Sequence, residues 1–512
     1  MKWKLLSKIE SILGRVIILL YVFENIKNGD AAWFFAYVCI FITILFIKNK
    51  IEGLGSILSI GLLFFYYILK IFHIYYIDES VVTNSIILLV FIGLMIDQKP
   101  KYKLIKTICL LLVIPIVAYA NFFIIKGKII KDSYLEKEIV RCLDKEDKKI
   151  TIDDLKKVDE LYIEEVRKLD GIEHLKNLKK LEISCEDIND LSKLGVLTNL
   201  EILQIYDIKG NDLSFLKNLK KLKELYISSE DEMNFEPLLY LKDLKKLKIS
   251  NNNLENIDSI GMLSSLEELD LSNDIVSAIK NNIKDLKGLK GLIHLKKLNL
   301  SYNLQIENLS DIECLTKLEE LNISFCRVND FKPLEKLKNL KVLNADDNLA
   351  YDIEIKKIVH PQNIKPVGNL KNLKELYING AGLRDLGIIK NLKKLETLSA
   401  ERNKIRNIEE LKELTSLKHV NLNHNEINNI APIACLKELE ELDLGENDIE
   451  NIKCLEKLTN LRYLDLSDNQ IVNINALRNL KKLEDVQLYG NEIKDYSPIK
   501  HLNEIYHRYV KD

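Results

Sequence analysis

The sequence predicts an α/β-type solenoid with short parallel strands, preceded by an all-α bundle of four or five transmembrane helices. Two observations support this fold class: apolar stretches fill residues 1–125, and a leucine pattern recurs every 22 residues from about residue 158. The 512 residues carry a formal charge of −2, unevenly distributed. Residues 1–125 hold 12 Lys and Arg against 7 Asp and Glu, and residues 126–512 hold 62 against 69. No global basic excess indicates nucleic acid as a partner.

Four N-terminal stretches are apolar enough to cross a membrane, and they predict a transmembrane helical domain over residues 1–130. They are Ala31–Ile47, Leu54–Leu69, Val81–Ile96 and Leu104–Ile125. Ser11–Phe23 is a fifth candidate, but Arg15 interrupts it, so it alternatively lies in the membrane interface as an amphipathic helix. Ionisable residues of the kind that line transport pathways are not evident inside the spans, which favours an anchor.

The short loops between the spans predict the orientation of the chain, because Lys and Arg are enriched in cytoplasmic loops. Residues 48–53 and 97–103 are basic, whereas residues 70–80 hold one lysine and two acidic residues. We therefore expect a multi-pass protein of the cell membrane with everything after the last span outside the cytoplasm. Lys126, Lys128 and Lys131 count against this orientation, although large domains translocate largely regardless of charge.

The remainder repeats the pattern LxxLxLxxN, and most intervals between units are 22 residues. We expect about 15 units over residues 158–504, with longer units at 266–294 and 340–372 and a truncated last repeat over 505–512. The additions in the longer units, Asp274–Lys290 and Ala350–Pro366, are expected to protrude as loops from one face. In the unit that begins at Leu461, Leu464 and Leu466 alternate as in a strand with one buried face. Its later apolar residues are expected to turn inward: Ile471, Ile474, Leu477 and Leu480.

Asparagine occupies the turn position of most later units, where its amide can satisfy backbone groups of the neighbouring turn. These asparagines are Asn252, Asn303, Asn348, Asn403, Asn425, Asn447, Asn469 and Asn491. The array resembles a bacterial leucine-rich repeat domain of the internalin-like kind. This resemblance implies a horseshoe with short parallel strands on its concave face, and it implies protein binding. The turn position departs from the pattern, and less regular turns are expected, at Val166, Glu186, Ile208, Glu230, Asp274, Cys326 and Ala381.

Residues 131–157 are predicted to form a helical cap over the first repeat, whose apolar face would otherwise be open. Leu135, Ile139 and Leu143 recur at helical spacing. Thr151 begins a capping-box-like sequence that ends at Asp154. The segment resembles the small helical N-cap of the internalin-like proteins.

No motif indicates catalysis, and we expect a protein that is not an enzyme and has no cofactor. His419 and His424 lie near Glu401 and Asp443 of the neighbouring units, so a metal site is conceivable. The alternation of a strand separates the two histidines, however, and surface histidines without a metal are the preferred interpretation. The oligomeric state is not indicated.

The side chains that flank the buried leucines should point to the concave side and form the binding face. Tyrosine is enriched at protein interfaces, so the leading hypothesis is a membrane-anchored protein that binds a protein partner there. The alternatives are a membrane transporter or enzyme with the repeats as a regulatory module, or a cytoplasmic-facing scaffold. The predicted contact residues are Tyr377, Asn379, Glu401, Arg402, His419, Asn421, Asp443, Tyr463, Asp465 and Tyr489.

Overall fold

The computed structural model describes residues 129–502, apart from 146–149, 165, 189, 230, 232, 251–253, 274–280 and 353–356. The predicted membrane spans and the truncated last repeat lie outside the described residues. Within the described part of the chain, no helix combines the length and the apolar character needed to cross a membrane.

Two short helices precede the repeats. Helix α1 (Ser133–Cys142) is capped by Asp132, whose carboxylate accepts the backbone N–H groups of Tyr134 and Leu135. The other oxygen of Asp132 accepts the N–H groups of Arg167 and Lys168, which ties the helix start to the first repeat. The capping box predicted at Thr151 and Asp154 is confirmed at the start of α2 (Ile152–Leu155).

Fifteen strands among the described residues form one parallel sheet in chain order, with a separate hairpin of β10 and β11. The strands are β1 (Glu160–Ile163), β2 (Lys180–Ser184), β3 (Ile202–Ile208), β4 (Glu224–Ser229), β5 (Lys246–Ser250), β6 (Glu268–Asp270), β7 (Lys297–Asn299), β8 (Glu320–Asn322), β9 (Val342–Asn344), β10 (Ala350–Asp352), β11 (Lys357–Val359), β12 (Glu375–Tyr377), β13 (Thr397–Ser399), β14 (His419–Asn421), β15 (Glu441–Asp443), β16 (Tyr463–Asp465) and β17 (Asp485–Gln487). The predicted parallel-strand solenoid is therefore confirmed for the repeat region.

A short helical turn returns the chain from each strand to the next. One is the α-helix α3 (Asp258–Gly261). The described 3₁₀ segments are Ile172–His174, Ser192–Val196, Ser214–Asn218, Glu236–Tyr240, Lys287–Gly291, Ser310–Ile312, Lys332–Lys336, Lys365–Asn369, Gly387–Ile389, Glu409–Glu413, Ala431–Cys435, Lys453–Lys457, Asn475–Asn479 and Ser497–Ile499. We number positions within a repeat from its first leucine-type residue, so the pattern residues stand at positions 1, 4, 6 and 9.

The core lies between the sheet and these turns. In the unit from Leu461, the leucines at positions 1, 4 and 6 are fully buried, and so are the isoleucines and leucines of the return segment. The inward orientation predicted for Ile471, Ile474, Leu477 and Leu480 is confirmed. Burial of each such side chain stabilises the fold by roughly 1.5–3 kcal/mol, which accounts for the strict leucine pattern.

The described turn asparagines join consecutive repeats, as predicted; Asn252 lies outside the described residues. The Asn447 side-chain nitrogen donates to the position-6 carbonyls of two repeats, Leu422 O at 3.0 Å and Leu444 O at 3.1 Å. Its side-chain oxygen accepts the Ile427 N–H at 3.0 Å. The same pair of bonds to position-6 carbonyls recurs at Asn303, Asn348, Asn403, Asn425, Asn469 and Asn491.

The first longer unit contains a turn asparagine that the pattern missed. Asn281 donates to Ile249 O and Leu271 O and accepts the Leu254 N–H, so it holds the place assigned to Asp274. The prediction that Asp274–Lys290 is a loop was therefore wrong for its second half. The addition to the 22-residue period is therefore only seven residues long, 274–280, and it ends directly before Asn281. Leu286, which follows Asn281, is buried in the core.

The second longer unit contains the β10–β11 hairpin directly after its turn asparagine. Ala350 pairs with Val359 in antiparallel fashion, so the hairpin begins and ends at adjacent points. The predicted loop Ala350–Pro366 was too long, because Ile364 and Pro366 are buried in the repeat. Both additions thus leave the repeat at the same edge of the sheet, where the strands end.

Among the described turns without asparagine, the one at Ile208 is irregular, as expected. Strand β3, with Ile208 at position 9, runs for seven residues, and its pairing with β4 shifts register between Ile205 and Ile208. At Cys326 the buried thiol donates to Leu300 O, and burial raises its pKa to about 12. At Ala381 the turn amide is missing, and the His360 Nδ1 lies 2.9 Å from the adjacent Gly380 O. Glu230 and Asp274 lie outside the described residues.

Candidate functional site

The candidate site is an open surface of the sheet. Strands β12 to β17 pair without a register shift, so residues at the same position form straight rows across six repeats. Positions 3, 5, 7 and 8 carry the outward side chains because positions 4 and 6 are buried. We call the outward side chains of β9 and β12–β17, and of the three residues after each of these strands, the C-terminal face.

The predicted contact residues lie in, or directly after, the six strands β12–β17. Tyr377 and Tyr463 lie four repeats apart, which at about 4.8 Å per strand is about 19 Å. Two groups result, one around Arg402 and one around Tyr463. Asn421 lies between them, and its amide donates to Glu401 at 3.4 Å.

Arg402 is held at one edge of the face by two carboxylates. Its guanidinium donates to Asp347, two repeats away, at 2.8 Å, and to the neighbouring Glu401. Gly380 lies at the same position of the repeat between them, with a φ of +65°. A Cβ on Gly380 would lie 2.3 Å from the Asp347 carboxylate, so glycine is required for this cross-repeat ion pair.

Tyr377 packs beside the same group. Its hydroxyl donates to Glu375 at 3.0 Å, and burial together with Glu375 raises the pKa of Tyr377 to about 12. Asp346 accepts the Asn379 N–H at 2.7 Å. Burial raises the pKa of Asp346 to about 6, with a further contribution from the adjacent Asp347.

Four predicted contact residues also stabilise the backbone. The side-chain oxygens of Asn421, Asp443 and Asp465 each accept the N–H two residues later. Asn379 instead accepts the Glu401 N–H of the next repeat at 2.6 Å. These bonds end each strand where the chain turns, because a short polar side chain satisfies the freed donor.

The second group surrounds Tyr463. In register, Tyr463 lies opposite Glu441 and Asp485, and Asp443 lies opposite Asp465. Burial raises the pKa of Tyr463 to about 12, and the nearby Asp465, Asp443 and Asp485 contribute to the increase. The ring therefore stays neutral at physiological pH. Burial also raises the pKa of Asp443, and the nearby Asp465 and Glu401 contribute.

The remaining predicted residues lie at the edges of the face. His419 contacts Glu441 at 3.1 Å, and Tyr489 is 54% exposed after the last described strand. His424 contacts Glu446 instead, so the two histidines diverge. In the described ranges, no group of three or more His, Cys, Asp or Glu side chains is arranged to hold a metal ion.

The sequence reasoning did not predict the backbone conformation of position 8. It adopts a left-handed φ in consecutive repeats, including φ +62° at Tyr302 and +53° at Phe325. Bulky residues rarely adopt this conformation. The two rings stack with centroids 4.5 Å apart and planes 6° apart, which offsets part of the strain. The signal in the sequence was the pair of aromatics 23 residues apart directly before the turn position.

Comparison with known proteins agrees with this geometry. Residues 320–511 match the family described as leucine-rich repeat region. This region of the chain, less than half of its length, is therefore similar to leucine-rich repeat proteins. An internalin from Listeria monocytogenes is 27% identical with a TM-score of 0.53, over 72% of this chain and 96% of that chain.

Two further solved structures support the fold alone. A leucine-rich repeat protein of Leptospira interrogans is 23% identical, with a TM-score of 0.55 over 69% of this chain and 89% of that one. The functional domain of InlJ from Listeria monocytogenes is 21% identical, with a TM-score of 0.55 over 74% and 78%.

A curated relative matches a smaller part of this chain. Acidic leucine-rich nuclear phosphoprotein 32 family member A of Drosophila melanogaster is 38% identical over 82 residues. These residues are 15% of this chain and 31% of that protein, so less than a third of the relative's length is matched.

We predict that Asp346→Asn stabilises the fold at neutral pH. A folded-state pKa of about 6, above the usual value near 3.9, means that ionised Asp346 lowers stability as pH rises from about 4 to 6. Allowing for partial exposure, the variant should gain about 1 kcal/mol at pH 7.5 and almost nothing at pH 4. Urea unfolding at both pH values measures this. The exposed Asp448→Asn is the control, and an equal gain of Asp346→Asn at both pH values would contradict the assignment.

Proposed function

We propose that this protein is a membrane-anchored, non-catalytic recognition protein that binds a protein partner on the C-terminal face. The observation that carries the proposal is the unbroken register of β12–β17, which presents tyrosines and polar acceptors on one continuous sheet surface. Solenoids use such extended surfaces for binding. Fifteen strands at about 4.8 Å span about 70 Å, enough for an interface of standard size.

The tyrosines are suited to anchor a partner. Tyr463 is half-buried among neighbouring side chains, and Tyr377 is half-buried with its hydroxyl bonded to Glu375, so both rings are already ordered. Ordered aromatic side chains lose little conformational entropy on binding, and a true hot spot contributes about 2 kcal/mol or more. The polar rim around them is provided by residues that also cap the strands, including Asn421 and Asp465.

The membrane attachment is supported by the sequence. The four apolar stretches between Ala31 and Ile125 are long enough, with their flanks, to cross a hydrocarbon core of about 30 Å. The basic loops at 48–53 and 97–103 favour an extracytoplasmic position for the repeats. This arrangement would present the C-terminal face to partners outside the cell.

We predict that Tyr377→Ala combined with Tyr463→Ala weakens binding of a partner isolated with the full chain by at least about tenfold, because two ordered anchors are lost. Titration of the isolated partner against each variant measures the affinity. Lys481→Ala with Lys482→Ala is the control, because both side chains lie away from the sheet, bonded to Arg478 O and Asn460. Unchanged affinity in the tyrosine variant, with an unchanged melting temperature, would exclude the C-terminal face.

We further predict that protease added to intact cells removes the region after about residue 130. The basic loops at 48–53 and 97–103 favour a position outside the cytoplasm for this region. Immunoblotting against the last repeats measures the loss, and lysed cells show that the sites are cleavable. Complete protection in intact cells with cleavage after lysis would place the repeats in the cytoplasm.

A further inference from the structure

The C-terminal face has a strong excess of negative charge. Its outward positions hold one cation, Arg402, apart from histidines, and ten carboxylates. The carboxylates are Asp346, Asp347, Glu375, Glu401, Glu441, Asp443, Glu446, Asp465, Asp468 and Asp485; Asp465 is 8% exposed, and the other nine are half-buried or exposed. Arg402 is already bonded to two of them.

The preceding strands provide an internal comparison, because there lysines and acidic residues alternate in register. Lys246 lies between Glu224 and Glu268, at 3.4 and 3.8 Å. Lys297 pairs with Glu320 at 2.8 Å. The same sheet therefore neutralises its outward charges within β4–β8 and leaves them in excess on the C-terminal face.

The excess of negative charge lies at the outward positions 3, 5, 7 and 8 and does not extend to position 2. Position 2, at the start of each strand, alternates in sign: Lys374 pairs with Glu396 at 2.7 Å, and Arg462 pairs with Glu484 at 2.7 Å. The outward rows differ, since Asp443 and Asp465 stand directly opposite each other on adjacent strands. Like charges in this arrangement destabilise a sheet. The neutral Asn421 accepts the N–H two residues later in the same way as Asp443 and Asp465 do, so this bond does not require a charge. The paired charges therefore indicate a use other than stability.

We propose that the partner is a protein segment rich in lysine and arginine, which binds across β14–β17 with its cations among Asp443, Asp465 and Glu441. This inference rests on the proposed function and adds the chemistry of the partner. Charge complementarity selects the occupant, since a cation relieves the repulsion between the opposed carboxylates. The Tyr463 ring, flanked in register by Glu441 and Asp485, provides a neutral π-face on which a guanidinium or ammonium group packs.

The test uses the full chain in a neutral detergent and two fluorescein-labelled probes, a ten-residue oligolysine and a ten-residue oligoglutamate. Fluorescence anisotropy at about 50 mM salt, where charge interactions are only weakly screened, measures binding. We expect oligolysine to bind and oligoglutamate not to bind. Asp443→Asn with Asp465→Asn should weaken oligolysine binding at least tenfold, while the amide oxygens keep accepting the Gly445 and Ser467 N–H groups.

The matched control is Glu413→Gln with Glu456→Gln, which removes the same charge from the return segments Glu409–Glu413 and Lys453–Lys457 and should change the affinity less than twofold. If the aspartate variant melts early, Glu441→Gln with Asp485→Asn replaces it. The inference would be overturned if oligolysine did not bind or if oligoglutamate bound equally well. It would also be overturned if the aspartate variant and the control variant lost the same affinity for oligolysine. If the tyrosine variant loses its isolated partner while the aspartate variant keeps it, the proposed function stands and only the basic chemistry fails.

Discussion

The hydrogen bonds of the turn asparagine determine the spacing of the repeats. Each of these amides donates to a carbonyl of its own repeat and to one of the preceding repeat, as at Asn447. From Asn348 onward, the side-chain oxygen also accepts a backbone N–H from the preceding turn. These groups are buried, so leaving them unpaired would cost about 1–3 kcal/mol each. The bonds are satisfied only when consecutive repeats stack in register. The straight outward rows of the C-terminal face follow from this constraint.

Much of the fold could be predicted from the sequence because the leucine and asparagine positions leave few arrangements. The buried strand positions and the amide bonds between turns both follow from side-chain chemistry and period. Asn281 could not be predicted, since the fixed period assigns the turn to Asp274, and only the three-dimensional bonds show where the chain rejoins the repeat. The lengths of the two additions were overestimated for the same reason, because buried residues such as Leu286 and Pro366 belong to the core.

The outward orientation of the candidate contact residues could be predicted, but their hydrogen-bond partners could not. The alternation of a strand identifies which side chains point outward, and Tyr463 and Tyr377 do so. It does not reveal which polar groups are already occupied. Asn379, Asp443 and Asp465 cap the backbone, and Arg402 pairs with Asp347 across a glycine. Such competition among nearby partners depends on distances between repeats, which a single repeat's sequence does not contain.

The central claim is that the amide of the turn asparagine holds consecutive repeats together, and Asn447→Ala tests it most directly. The variant leaves the buried Ile427 N–H without its partner. It also removes one bond from each of the Leu422, Leu444 and Gly445 carbonyls, which keep their bonds from Asn425, Asn469 and the His424 N–H. Urea unfolding should therefore show a loss of about 3 kcal/mol. Asn451→Ala, in the same repeat, loses only an exposed bond from the Lys453 N–H and should lose less than about 1 kcal/mol. Equal losses in the two variants would contradict the claim.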